Sequence, residues 1–132
     1  MSNLSFGSEV LAVKNESAQQ PIPTSWRSVF CEIVSAFVER DYQLESGVLG
    51  VEPVSIDAAA RIHRCIKNYG ATLVALPEEA WNSSVCMWYG DHWDALVDLW
   101  TQEEGPSDLV LRASVSEKEM GFGFKIQQVY VP

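Results

Sequence analysis

The spacing of apolar residues changes from a helical period to a strand period near residue 71, and this change constrains the fold most. After Pro23, apolar side chains recur every three or four residues, which predicts an amphipathic helix over about Ser25–Arg40. Its apolar stripe consists of Trp26, Val29, Phe30, Ile33, Val34, Phe37 and Val38. A second helix is predicted over Ile56–Tyr69, because Ser55 is a suitable N-cap and Gly70 suits the position after the helix end.

From Ala71 onward, short segments of alternating apolar and polar residues are separated by polar turns, which predicts strands in antiparallel hairpins. Strand segments are expected at Thr72–Leu76, Val85–Tyr89, Trp93–Trp100, Leu109–Val115 and Phe122–Val131. Within Trp93–Trp100, the odd-numbered residues are apolar and the even-numbered ones include Asp94 and Asp98. The chain is therefore expected to be an α+β domain. Two N-terminal helices would pack on one face of an antiparallel β-meander of about four strands.

The 132 residues fit one domain, which is expected to span residues 24–132. Residues 1–23 are expected to be a flexible leader, because Ser, Asn, Gln and Pro are frequent there. The sequence contains neither an apolar run long enough for a membrane span nor the pattern of a secretory signal. Cys31, Cys65 and Cys86 are an odd number without paired spacing, so reduced thiols and a cytoplasmic location are expected.

Negative charge is concentrated in one part of the chain, the acidic window at residues 68–111. The chain has a net charge of −9, and this window contains eight acidic residues and no Lys or Arg. The acidic residues are Glu78, Glu79, Asp91, Asp94, Asp98, Glu103, Glu104 and Asp108. Such a charge disfavours direct binding to nucleic acids, whose phosphates are also negative. Four of the five tryptophans, Trp81, Trp88, Trp93 and Trp100, lie in the same window.

Two interpretations of the acidic window remain open. The residues could form a solvated sheet face above tryptophans of the core. Alternatively, they could bind a cationic protein, with carboxylates that steer the partner and aromatic side chains that anchor it. On the second interpretation, the candidate partner-binding residues are Asp91, Asp94, Asp98, Trp100, Glu103, Glu104 and Asp108.

Patterns of catalytic or metal-binding residues are weak. His92 lies between Asp91 and Asp94, but Gly90-Asp91 is typical of a turn between strands. His63 and Cys65 are two residues apart on a predicted helix and therefore point in different directions. Ser83-Ser84 lacks the glycines of a hydrolase nucleophile turn. We expect no catalytic residues, no metal, no cofactor and no enzymatic activity.

The segment from Leu99 to Leu109 has the pattern L-W-T-x-E-E-G-x-S-D-L. Together with Asn68-Tyr69-Gly70, Leu76-Pro77 and the closing Val129-Tyr130-Val131-Pro132, it resembles a family of small uncharacterised bacterial proteins. The resemblance covers about residues 26–132. It implies an α+β domain and an association with polymorphic toxins, as candidate immunity proteins, and it implies no active-site residues. From the residues alone, Glu103-Glu104-Gly105 is also a plausible chain reversal with a positive φ at the glycine.

The expected function is that of a cytosolic immunity protein. It would bind and occlude a cognate bacterial toxin through an acidic, Trp-containing surface that covers the basic cleft of the toxin. One alternative is a small-ligand-binding domain with a pocket between the helices and the sheet. Another is an acidic adaptor or nucleic-acid mimic. The expected partner is the toxin protein, without direct contact to nucleic acid or membrane.

Overall fold

The computed structural model describes residues 9–132 and has two α-helices packed on one face of a five-stranded antiparallel sheet. In chain order the elements are β1 (Gln20–Pro21), α1 (Thr24–Val38), α2 (Ile56–Tyr69), a 3₁₀-helix (Glu78–Asn82), β2 (Val85–Trp88), β3 (Trp93–Thr101), β4 (Gly105–Lys118) and β5 (Gly121–Tyr130). The strands are adjacent in the sheet in the same order. The predicted α+β class is confirmed, with five strands where about four are expected.

The helices end where local chemistry stops them. The Ser55 hydroxyl accepts a hydrogen bond from the Ala58 N–H at 3.1 Å, and Gly70 after α2 has a φ of +84°. Both boundaries of α2 are therefore as predicted. Helix α1 ends at Val38, two residues before the predicted end, because Arg40 adopts a left-handed conformation with a φ of +66°.

The core lies between the two helices and the inner face of the sheet. On β3, the residues Trp93, Ala95, Val97 and Leu99 are at most 1% exposed. Trp26 of α1 contacts Trp93 edge to face, with ring centroids 5.4 Å apart, and Phe30 contacts Phe124 of β5 in the same way at 5.6 Å. Such aromatic pairs add to the stabilisation from buried apolar area. The inner side chains of β3, which the predicted alternation places on one face, therefore form part of the contact between the sheet and the helices.

The strand expected at Thr72–Leu76 is wrong. This segment makes one isolated bridge, between Leu73 and Thr101, next to hydrogen bonds from Val74 N–H to the Trp100 carbonyl and from Gln102 N–H to the Thr72 carbonyl. Pairing stops there because Pro77, which has no N–H to donate, directs the chain into the 3₁₀-helix. The fifth strand of the sheet is β1 instead.

Residues 9–23 differ from the flexible leader expected from the sequence. Gln20 and Pro21 pair with Cys86 and Val85 of β2, and Ile22 is fully buried. The carbonyl of Val13 accepts a hydrogen bond from Trp93 Nε1 at 2.9 Å. The packed region therefore begins before residue 24, since Ile22 fills part of the core. Residues 1–8 of the expected leader lie outside the described residues.

Cys31, Cys65 and Cys86 are free thiols, and burial raises the pKa of Cys86 to about 11. Among residues 9–132, no helix combines the length and the apolar character needed to cross a bilayer.

Candidate functional site

The outer face of the sheet, on the side opposite the helices, carries the central residues of the candidate site. Directly opposed residues of antiparallel strands point to the same side of a sheet. One such row across the outer face contains Val85, Leu96, Arg112 and Gln128, and a neighbouring row contains Asp98, Val110 and Tyr130. Because both α-helices pack on the inner face, no α-helix among residues 9–132 lies above these side chains.

The outer face has a small group of apolar and aromatic side chains near its centre, beside Arg112 and Gln128. Leu96 and Tyr130 are partly exposed, whereas Val110 is only 7% exposed although it lies outside the core beneath the helices. A shallow cavity of about 280 Å³ adjoins this centre and is lined in part by Met87, Leu96 and Tyr130.

Asp94 is neutralised by a base immediately beyond the acidic window. Arg112 Nη2 lies 2.9 Å from Asp94 Oδ2, and His92 Nε2 lies 3.5 Å from Asp94 Oδ1. His92 Nδ1 is also 2.6 Å from Asp91 Oδ1. His92 thus bridges two carboxylates at the β2–β3 turn. Nevertheless, the described residues contain no group of three or more His, Cys, Asp or Glu side chains placed to hold a metal ion.

Asp98 occupies a different environment on the same strand. Ser83 Oγ donates a hydrogen bond to Asp98 Oδ2 at 2.5 Å, and the Asp98 N–H donates to Ser84 Oγ at 2.9 Å. The two serines therefore attach the end of the 3₁₀-helix to β3. Within residues 9–132, no basic side chain lies within 4.0 Å of the Asp98 carboxylate. Asp98 is thus a partly exposed negative charge without a local cation, between the apolar Leu96 and Trp100.

Glu103 belongs to a structural junction at the far end of β3. Its carboxylate accepts hydrogen bonds from the N–H and hydroxyl of Thr72, at 2.8 and 2.9 Å. The Thr72 N–H, followed by the Thr72 hydroxyl, holds the pKa of Glu103 below its usual value of 4.5. These bonds tie the β3–β4 turn to the segment after α2.

Tyr69 extends the same junction. Its hydroxyl donates to Glu104 Oε1 at 2.7 Å and accepts from the Asp108 N–H at 3.1 Å. The Asp108 N–H lowers the pKa of Tyr69. The hydrogen bond to Glu104, burial and the charges of Glu104 and Asp108 together have the larger, opposite effect, so the pKa of Tyr69 is raised above its usual value. The E-E-G-x-S-D-L segment therefore positions the C-terminal end of α2 against the sheet.

The structure brings together only part of the predicted site. Asp94, Asp98 and Trp100 share the outer face of β3, where Asp94 and Asp98 are about 13 Å apart at the usual rise per residue. Asp91 lies at one end, in the β2–β3 turn, and Asp108 is exposed at the start of β4. Glu103 and Glu104 lie in the β3–β4 turn, with their carboxylates bonded to Thr72 and Tyr69.

Trp100 is the one tryptophan of the acidic window on the outer face. Trp81 and Trp93 are buried, and Trp88 packs against the core. The indole of Trp100 covers Gly105, whose φ is +74°, and Trp100 pairs with Pro106 across the hairpin. Sequence reasoning missed Leu96, Val110 and Tyr130, because their common face follows from the strand register. The alternation within β3 was the available signal for Leu96.

Comparisons with known proteins give a family and no function. No curated protein and no solved structure matches the chain. One family model matches residues 34–132, which is more than half of the chain and includes α2 and strands β2–β5. By this match, the chain belongs to the family described as "Domain of unknown function (DUF7668)".

Proposed function

We propose that this protein is a cytoplasmic, non-catalytic immunity protein that binds a cognate bacterial toxin and occludes its basic cleft. The observation that carries the proposal is the outer face of the sheet. A group of apolar and aromatic side chains that includes Leu96 and Tyr130 lies there without a covering α-helix among residues 9–132, beside Trp100 and the uncompensated charge of Asp98. The resemblance of the L-W-T-x-E-E-G-x-S-D-L segment to candidate immunity proteins supports the type of partner.

The chemistry of the surface suits a cationic protein. Protein interfaces commonly have an apolar centre with Trp or Tyr anchors and a polar rim that excludes water. A net charge of −9 attracts a positively charged partner over distance and accelerates encounter. Toxins that act on nucleic acids or nucleotides have basic clefts, because their substrates are anionic.

The hydrogen bonds assign different roles to the seven candidate residues. In the proposed interface, Trp100 is the anchor and Asp98 the central charge, while Asp91 and Asp108 contribute exposed charge at the two ends. Asp94 is paired with Arg112, and the carboxylates of Glu103 and Glu104 are bonded within the protein. Asp98 also accepts a hydrogen bond, from Ser83 Oγ, so what distinguishes it from Glu103 and Glu104 is its central place on the outer face, while Asp94 differs by its paired cation.

The experiment uses the toxin-domain protein encoded by the neighbouring gene, purified separately and mixed with this protein in stopped flow. We expect the Asp98→Lys variant to slow association about tenfold at low salt, with less difference at high salt because screening weakens steering. Glu16→Lys is the matched control, since Glu16 is exposed, lies in the N-terminal segment and gives the same charge change.

Circular dichroism confirms that both variants fold, and co-expression with the toxin measures protection of cells. Equal slowing by Asp98→Lys and Glu16→Lys would overturn the outer-face interface, because total charge alone would explain it. Absence of binding and protection by the native protein would overturn the immunity function itself.

A further inference from the structure

A second cavity, of about 490 Å³, lies between the C-terminal ends of α1 and α2. Its lining comes from the last two residues of α1 and the segment after it, from one side of α2 and from residues 70–73. The volume is within the range of small-ligand pockets and exceeds that of the outer-face cavity. The proposed toxin-binding surface meets this region only through Thr72, which lines the cavity and bonds to Glu103.

The cavity has an apolar floor and an aromatic wall. Phe37, Ile66 and Leu73 line it and are each at most 7% exposed. The rings of Tyr42 and His63 stack on each other, with centroids 4.9 Å apart and planes 15° apart. An apolar ring or short chain of a ligand could therefore be removed from water on this floor.

Three basic side chains line the same cavity: Arg40, His63 and Lys67. His63 and Lys67 are four residues apart on α2 and so lie on one side of the helix. Among residues 9–132, no carboxylate lies within 4.0 Å of any of the three basic groups. This arrangement favours a negatively charged group of a ligand.

Three acids lie near the lining. Glu39, next to Arg40, makes no ion pair within 4.0 Å among residues 9–132, and the other two are occupied by hydrogen bonds. The Asp41 carboxylate accepts hydrogen bonds from the N–H of Glu45 and from the N–H and hydroxyl of Ser46. The Glu103 carboxylate accepts from the N–H and hydroxyl of Thr72. Neither carboxylate is therefore the hydrogen-bond partner of Arg40 or Lys67.

Arg40 stands where a glycine is usual. The N–H of Arg40 bonds to the Phe37 carbonyl at 3.0 Å and that of Asp41 to the Ala36 carbonyl at 2.8 Å, which is the Schellman pattern after α1. Arg40 holds this position with a φ of +66°, a strained conformation for a residue with a Cβ. A cation near a helix C-terminus gains less from the helix dipole than this strain costs. The dipole alone therefore does not explain an arginine here.

We propose that this cavity binds a small organic anion. Its apolar ring or chain would lie on the floor of Phe37, Ile66 and Leu73, and its carboxylate or phosphate would lie between Arg40 and Lys67. The proposal does not depend on the toxin-binding function.

The test is a titration of the full-length protein followed by NMR of backbone amides, with four probes. Phenyl phosphate and phenylacetate combine a ring with an anion, whereas inorganic phosphate lacks the ring and benzyl alcohol lacks the charge. We expect at least one ring-bearing anion to shift the amides of residues 70–73 and to bind at least tenfold more tightly than inorganic phosphate and benzyl alcohol. The stronger of the two ring-bearing anions identifies the preferred head group.

Arg40→Gly is the decisive variant, because glycine relieves the strain after α1 while it removes a cation. We expect its affinity for the better anion to fall about tenfold or more, as for a lost charged hydrogen bond, with a melting temperature unchanged or higher. Arg64→Gln is the control, since Arg64 is an exposed arginine of α2, the helix of His63 and Lys67, and does not line this cavity. Its affinity should be unchanged.

Three results would overturn the proposal. Neither ring-bearing anion shifts residues 70–73 at millimolar concentration, or benzyl alcohol or inorganic phosphate binds as tightly as they do, or Arg40→Gly binds like the native protein. If the protein fails these tests and still binds its toxin, the anion-binding proposal is wrong and the toxin-binding proposal stands.

Discussion

The two faces of strand β3 show how one alternating segment serves two purposes. Its inner residues Trp93, Ala95, Val97 and Leu99 are at most 1% exposed and contact the helices or their neighbouring strands. Its outer residues Asp94, Leu96, Asp98 and Trp100 are partly exposed, and no α-helix of the described residues lies above them. The two sets alternate along one strand, so the difference in burial comes from the face of the sheet to which each side chain points. The inner residues of β3 therefore stabilise the fold, whereas the outer residues are available for binding.

The acidic residues follow a similar division. On the outer face, Asp98 has no local cation among the described residues, whereas Asp94 is paired with Arg112. Beyond the end of β3, Glu103 and Glu104 hold the turn to Thr72 and Tyr69. A run of like charges in sequence thus divides into charges that maintain the fold and charges that remain for a partner.

The largest expected effect on stability comes from truncating a leucine to alanine on the inner face of β3, compared with the same substitution on its outer face. Leu99→Ala should lower the free energy of unfolding by about 2–5 kcal/mol, because it leaves a cavity in the core. Leu96→Ala is the matched variant and should cost about 1 kcal/mol or less, as expected for a half-buried pair on a sheet surface. Urea denaturation measures both. Equal costs would show that the outer face is as tightly packed as the inner one.

Much of this division could be predicted from the sequence, because it depends on local period. The alternation of β3 and the caps of α2 require only neighbouring residues. The pairing of Asp94 with Arg112 could not be predicted in this way, since it depends on the register between β3 and β4.

The errors of prediction have related causes. Gln20–Pro21 is too short to show a strand pattern and joins the sheet because β2 offers an open edge. Thr72–Leu76 has a strand pattern but lies where only one bridge to β3 forms. The structural role of Glu103 was equally hidden, because Thr72 is distant in sequence.

A smaller effect is expected at Glu103 and depends on pH. The folded-state pKa of Glu103 is lowered, chiefly by the Thr72 N–H, so the ionised form stabilises the fold. This stabilisation is present above the usual pKa of 4.5 and is lost as the pH falls through the lower folded-state value. Glu103→Ala should therefore lower the urea midpoint at about pH 7, and it should lower it less as the pH falls below 4.5 to about pH 3.

Gln102→Ala is the control for this pH dependence, because Gln102 is exposed in the same turn and does not titrate. Its urea midpoint should differ from that of the native protein by the same amount at both pH values. If Glu103→Ala behaved like this control, the carboxylate would have no structural role, and Glu103 would return to the set of charges available for a partner.

The smallest effect on stability is expected at Trp100, although this residue should matter most for the lifetime of the complex. Trp100 is partly exposed and contacts Gly105 and Pro106 at the hairpin, so Trp100→Ala should cost about 1 kcal/mol or less in folding. In the proposed interface it is an apolar anchor, and loss of an anchor acts mainly on the dissociation rate. Stopped-flow association followed by competition measures both rates for the toxin complex.

The contrast between Trp100 and Asp98 then distinguishes anchoring from steering on one strand. Trp100→Ala should accelerate dissociation at an unchanged association rate, whereas Asp98→Lys should mainly slow association in a salt-dependent way. Trp100→Phe keeps an aromatic ring and should restore much of the lifetime of the complex. If Trp100→Ala instead lost several kcal/mol of stability, as expected for a core residue, the indole would belong to the fold. The outer face would then lack its anchor. The division of β3 into an inner face that stabilises the fold and an outer face that binds a partner would be wrong at Trp100.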